Sequence, residues 1–326
     1  MFYGLARRPK QQPDINNRIV LCQAPRQLRG GKEAGMTTKL KHIIVSMRPG
    51  QWVKNLFIFA GLIFSGNLFH PEIFIRVGKG FVLFSAAASS IYIFNDIMDL
   101  EYDRAHPEKK HRPLAAGHLK VAAAYTGALA LAAAGLIGAL TLDREFFAIL
   151  LSYLIINIAY TVIIKKKVIL DIMCIASGFV LRVLAGTELA EVVPSDWLIL
   201  CTIMLSLFLG FGKRRHELVI TGIDALSHRK VLGEYSLSFL DQMIAISTAC
   251  IVMSYALYTV SPQTVGRFGT RNLVFSIPFV IYGIYRYLYL IHQKNMGGNP
   301  PRDIFKDLPL LLNALLWALL VVLIIY

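Results

Sequence analysis

GKGFVLFSAAASSIYIFNDIMDLEYDRAHPEKKHRPLAAG (residues 78–117) changes character halfway. The run 78–98 is apolar apart from Lys79, Asn95, Asp96 and the serines Ser85, Ser89 and Ser90. As a helix rising 1.5 Å per residue it reaches about 30 Å, the thickness of a bilayer core. Three aspartates then close it, Asp96, Asp99 and Asp103, followed by Arg104, Lys109, Lys110 and Arg112. A spanning helix that ends in stacked carboxylates needs a reason for them.

Comparable apolar runs lie near 56–72, 119–141, 146–164, 168–187, 197–212, 240–260, 272–291 and 308–326. With 78–98 they predict nine transmembrane helices and an all-α integral membrane protein; the first and sixth runs are short. Composition agrees: 56% of the 326 residues are hydrophobic, and the mean hydropathy is +0.55. Few soluble domains of this length are so apolar.

The net charge is +14, which raises a nucleic-acid reading. Its distribution excludes one, because the cations sit in alternate short loops. One set of loops holds Arg104, Lys109, Lys110, Arg112 and Lys120, then Lys165–Lys167, then Lys213–Arg215 with Arg229 and Lys230, then Lys294, Arg302 and Lys306. The other set holds only Arg76, Lys79, Arg144, Arg267 and Arg271. Cation-rich loops stay inside, so the N-terminus and the aspartates are expected in the cytoplasm. Cys22, Cys174, Cys201 and Cys250 show no paired spacing and read as small buried apolar residues. Residues 1–38 are polar and basic without the apolar core of a signal peptide, and are expected as a disordered cytoplasmic tail before a membrane domain of 39–326. Met36 reads as a natural start.

Asp96, Asp99 and Asp103 are spaced i, i+3, i+7, and Asn95 lies four residues before Asp99, so a helix places all four on one face. This is a helix C-terminus, where the macrodipole disfavours carboxylates by about 0.3–1 kcal/mol each. A bound divalent cation offsets that cost and their mutual repulsion. Oxygen donors without Cys or His suit Mg²⁺ bridging to a diphosphate. The plainer alternative is a solvated loop paired with Arg104 and Lys109.

The pattern ND-xx-D-xxx-D followed by RPLAAG resembles the first aspartate-rich motif of the UbiA superfamily of intramembrane prenyltransferases, and the resemblance runs from about residue 40 onward. It implies a helical bundle around a central cavity, with Mg²⁺ on Asn95, Asp96, Asp99 and Asp103 and a catalytic cytoplasmic face. Most members carry a second aspartate-rich motif after the sixth span. This chain has GFGKRRHEL (210–218) there, where Lys213, Arg214 and Arg215 replace an acidic cluster and Glu217 remains. One acidic and one basic wall suit a Mg²⁺-diphosphate facing a bare phosphate, which Arg forks bind bidentately; a simple positive-inside anchor is the alternative.

RPGQWVKN (48–55), with Gln51, Trp52, Lys54 and Asn55, taken together with KRRHE, resembles the polyprenyl-phosphate phosphoribosyltransferase branch. That resemblance implies 5-phosphoribosyl 1-diphosphate as donor, a polyprenyl (decaprenyl) phosphate as acceptor, and residence in a bacterial inner membrane. Asp96, Asp99, Asp103, Lys54 and Tyr160 are then the expected catalytic residues. Arg112, Lys165, Asp171, Arg182, Lys213, Arg214, Arg215, Glu217 and Tyr235 join Gln51, Trp52, Lys54 and Asn55 as expected substrate ligands. Asp171 and Arg182 are too far apart along one helix to pair, about 16 Å; Asp171 is nearer the mouth, and Arg182 has a structural role as its alternative. Asp303 and Asp307 read as caps of the last helix. An aromatic-acceptor prenyltransferase of the same fold and a transporter are the competing functions. The first expects a second aspartate-rich loop and the second an inverted repeat; neither is evident in the sequence. The oligomeric state is left open.

Overall fold

The computed structural model describes residues 36–106, 109–221 and 230–326. Most of the expected tail, and Arg229, lie outside them. Every element among the described residues is helical.

A helix α1 (Met36–Ser46) leads into a 3-10 segment (Pro49–Phe57) and a short α2 (Ile58–Ile63). The long α3 (Pro71–Met98) follows, then a single short helix α4 (Leu100–Ala105). Next come α5 (Val121–Leu142), α6 (Arg144–Val162), α7 (Leu170–Leu189) and α8 (Asp196–Thr221). The chain closes with α9 (Leu237–Val260), α10 (Pro262–Phe268), α11 (Ile277–Gln293), α12 (Pro300–Lys306) and α13 (Leu308–Ile325). Among the described residues eight helices are long and apolar enough to cross a membrane, and they correspond to the second to ninth expected spans. The sixth, expected short, runs from Asp196 to Thr221.

The first expected span is built differently. Its α-helical part is only six residues long, entered through the 3-10 segment and left through a turn with Gly66 at φ 82°. Irregular backbone at such a place is tolerated where protein covers it or a cavity lies beside it. The first condition is met. Gly61 and Gly186 bring α2 and α7 into backbone contact: a Cβ on Gly186 would lie 1.8 Å from the Ile58 carbonyl oxygen, and one on Gly61 2.7 Å from the Thr187 nitrogen. On its other side the segment is bonded to α3, as described below.

Two apolar clusters hold the bundle. Ile58, Leu62, Phe84, Ala88, Phe146 and Leu150 join α2, α3 and α6, with Ala185 and Leu189 of α7. Ile172, Phe208, Leu240, Ile244 and Leu290 join α7, α8, α9 and α11. Helix α7 belongs to both, so the residues at its ends are fixed from two sides. The C-terminal ends of α3, α6 and α8 and the N-terminal end of α7 meet at one end of the bundle, here called the mouth.

Candidate active site

Helix α3 ends at Met98, one residue before Asp99, yet the backbone ladder continues: Asp99 N–H donates to Asn95 O (2.9 Å) and Asp103 N–H to Asp99 O (2.8 Å). The aspartates therefore keep their common face across the break. Asp96 and Asp103 are buried, while Asp99 is 37% exposed. Each carboxylate meets a cation. Arg112 Nη1 donates to Asp96 (2.9 Å) and to Asp103 (2.6 Å). Arg48 also bonds Asp96, and Lys165 Nζ reaches Asp99 at 2.6 Å. Asn95 Oδ1 accepts from Thr161 of α6. Of the partners in the solvated-loop alternative, Arg104 bonds Glu101 instead, while Lys109 lies within electrostatic reach of Asp103 and Asp99.

These oxygen donors fit a hard divalent cation by chemistry. As the side chains stand, no three His, Cys, Asp or Glu among the described residues converge on one point, because Arg48, Arg112 and Lys165 are interleaved with them. Arg48 is an addition to the sequence-expected set. It sits in the left-handed region (φ 53°) directly before Pro49, and its guanidinium lies over the Tyr92 ring. The sequence signal for it was the RPGQW motif, of which it is the first residue.

The 3-10 segment descends along α3. Trp52 Nε1 donates to Ser89 Oγ (3.0 Å) and Asn55 Nδ2 to Ser85 Oγ (2.9 Å). Arg182 of α7, 4% exposed, donates to Asn55 Oδ1 (2.8 Å), Gly178 O (2.6 Å) and Tyr153 OH (3.1 Å). Its guanidinium also lies over the rings of Phe84, Tyr153 and Phe179. No carboxylate is among these partners. Lys54, outside the eight long helices, makes no hydrogen bond or ion pair among the described residues. Burial first, and then Lys213, Arg182 and Arg48, push its ammonium down to about 7. Gln51 is half-buried at the top of the same segment.

The remaining candidates form a second, sealed network. Asp171 is 0% and Arg214 1% exposed. Arg214 Nε donates to Asp171 Oδ2 (2.7 Å), Nη1 to Glu217 Oε2 (2.6 Å) and Nη2 to Tyr160 OH (3.5 Å). Tyr235 OH donates to Asp171 Oδ1 (2.9 Å) and accepts from the Ile169 N–H (2.7 Å). Burial pushes that phenol up to about 12, so it stays a donor. Ile169 has φ 66°, a conformation costing a β-branched residue about 1–3 kcal/mol. Tyr235 thus pins the strained turn that follows Lys165–Lys167.

The expected pair Arg214 and Arg215 is separated, because successive residues of a helix point about 100° apart. Arg215 turns to α9 and bonds Asp241 at 2.6 Å. Lys213 lies 3.9 Å from Glu217. Asp171 and Arg182 do not pair, as expected, and each has its own partners. Asp307 caps α13 through the Leu310 N–H (3.0 Å), and Asp303 accepts from the Gly297 N–H (2.8 Å) rather than capping that helix.

The mouth therefore carries an acidic wall matched by three cations, above a floor with two cations that have no acid partner among the described residues. Such a site suits two anionic groups with a cation between one of them and the carboxylates. Residues 55–306 match the UbiA prenyltransferase family. A protein of Mycolicibacterium smegmatis named decaprenyl-phosphate phosphoribosyltransferase is 34% identical over 286 residues, covering 84% of this chain and 89% of its own. One of the same name from Corynebacterium glutamicum is 34% identical over 290 residues, covering 87% and 86%. The solved structure of a UbiA homolog from Archaeoglobus fulgidus bound to GPP and Mg²⁺ superposes with TM-score 0.68 at 17% identity, covering 87% of this chain and 99% of that one. The chain is a membrane transferase and belongs to the UbiA prenyltransferase family.

Proposed function

We propose that the protein transfers 5-phosphoribose from 5-phosphoribosyl 1-diphosphate to a polyprenyl phosphate of decaprenyl type, releasing diphosphate. The observation that carries this reading is the asymmetry of the site. Three carboxylates line one wall, whereas the 213–217 run holds a single acid, Glu217, which is bonded to Arg214, so no second carboxylate wall grips a diphosphate, and Arg48, Arg112 and Lys165 stand beside the first as cations for phosphate oxygens. A donor with a diphosphate on C1 and a second phosphate on C5 needs that asymmetry; the names of the Mycolicibacterium and Corynebacterium relatives support it.

Asn95, Asp96, Asp99 and Asp103 are the residues that would hold Mg²⁺. When bound, the ion neutralises charge developing on the departing diphosphate. Arg48, Arg112 and Lys165 stand beside these carboxylates and can turn to phosphate oxygens. Displacement at a sugar C1 develops oxocarbenium character, and the acceptor phosphate is already ionised at pH 7, so no strong general base is required. Catalysis then rests on positioning and electrostatics. The loop charges support a mouth on the cytoplasmic side, in this reading that of a bacterial inner membrane, where the product would serve as a lipid-linked precursor for the cell envelope.

Purified protein is incubated with radiolabelled phosphoribosyl diphosphate, polyprenyl phosphate and Mg²⁺. Label is expected in the lipid fraction, is lost with chelator, and falls by about a hundredfold or more in Asp96→Ala and Asp99→Ala that purify normally. Transfer of a prenyl group from prenyl diphosphate to an aromatic acid, with no lipid labelling, would favour the aromatic-acceptor reading that the family also accommodates.

A further inference from the structure

The two groups of cations lie at different depths. Arg48, Arg112 and Lys165 are at the level of the carboxylates. The bonds from Trp52 to Ser89 and from Asn55 to Ser85 fix Lys54, between them in sequence, seven to eleven residues deeper along α3 than Asp96. At 1.5 Å per residue this is about 10–16 Å. Arg182 reaches the same level through Asn55. At the mouth each of the three carboxylates is paired with a cation. The floor has Lys54 and Arg182 and no carboxylate partner among the described residues. Arg182 is buried but has its hydrogen bonds and ring contacts; Lys54 is half-buried with no partner among the described residues, and a ligand that brings negative charge would offset the cost of holding its ammonium there.

Which ligand follows from the direction of the reaction; the step rests on the function proposed above. The diphosphate leaves from the acidic level at the mouth. A nucleophile displaces it from the opposite face of C1, which is the floor side. The nucleophile is an oxygen of a phosphate on a lipid tail, and it enters from the bilayer. We propose that Lys54, backed by Arg182, binds the phosphate of the lipid acceptor and presents its oxygen to C1, leaving the donor's phosphates to the cations at the mouth. The acceptor oxygen forms the new bond to C1 as the C1–O bond breaks, and the electron pair departs with diphosphate; no proton changes hands.

Lys54→Gln is expected to raise KM for polyprenyl phosphate about tenfold or more, or about 1.4 kcal/mol, with KM for the donor within about twofold. Lys54→Arg should recover part of the loss. Thermal unfolding supplies a second readout. Polyprenyl phosphate should stabilise wild type and not Lys54→Gln, Mg²⁺ with phosphoribosyl diphosphate should stabilise both, and unliganded Lys54→Gln should melt no lower than wild type because it loses an unpaired charge. A raised donor KM with unchanged acceptor KM would assign Lys54 to the 5-phosphate and overturn the proposal. So would a lower melting temperature of unliganded Lys54→Gln, or its failure to purify, either of which marks a structural role. A wild type that labels no lipid refutes the proposed reaction instead, while the melting shifts still report whether Lys54 holds the lipid phosphate.

Discussion

Asp171 and Arg214 illustrate how one ion pair can serve a site without touching a substrate. Both are sealed from solvent, and Arg214 also holds Glu217 and Tyr160. Arg214→Ala strands the Asp171 carboxylate; breaking a buried pair from one side costs about 3–5 kcal/mol. It should lower the melting temperature and the activity together, whichever substrate is varied. Arg215→Ala removes a bond to the half-exposed Asp241 and should leave both KM values within about threefold. A selective rise in donor KM for either variant would restore these arginines to phosphate binding. Lys54 adds a pH signature. Its ammonium, facing Lys213, Arg182 and Arg48, is lost as pH rises through about 7, so kcat/KM for the acceptor should fall above that pH in wild type. It should hold its value in Lys54→Arg, whose guanidinium stays charged. At this scale the sequence disclosed which residues gather at the mouth: the stripe, Arg112 and Lys165 meet as their types and positions implied. It did not disclose partners. Asp171 and Tyr235 are 64 residues apart and Arg182 and Asn55 127 apart, and nothing in local spacing encodes such pairs.

Among the elements, eight of the nine expected spans were legible because a bilayer imposes one length and one polarity on a helix. The first was not legible as built. Hydropathy cannot distinguish a continuous span from a short helix entered through a 3-10 segment, since both are apolar stretches. A backbone contact accompanies the break: Gly186 and Gly61 let α7 and α2 touch, and small residues commonly permit such approach inside membranes. Gly186→Ala puts a methyl group on the Ile58 carbonyl and must push α2 away. Overpacking of this kind costs about 1–3 kcal/mol. Because α2 continues the segment that carries Lys54 and Asn55, the variant should lose acceptor binding as well as thermal stability. Ala at Gly78, which has open space around it, should change neither measurably; equal effects of the two would refute the contact as the cause.

For the molecule as a whole, the bundle closes at the end opposite the mouth. Arg76 bonds Asp143 at 3.0 Å and also Glu191, tying α3 to the start of α6 and the end of α7. Tyr326, just past α13, reaches the other end of the chain. Its hydroxyl accepts from the Leu68 N–H (2.9 Å) and lies within hydrogen-bond distance of the Leu62 and Ile63 carbonyls (3.3 and 3.2 Å). Its ring meets Phe69 edge-on at 5.0 Å. Those carbonyls belong to the last turn of α2 and have no partner within that helix. Helix α2 is thus capped by a residue 264 positions later. During synthesis α2 leaves the ribosome long before α13, so apart from the bond that Ser65 gives the Leu62 carbonyl its end is completed only when α13 arrives. Nascent chains arrested before residue 308 should label a cysteine placed at Phe64, whose ring meets Trp317 of α13, more readily than full-length chains do.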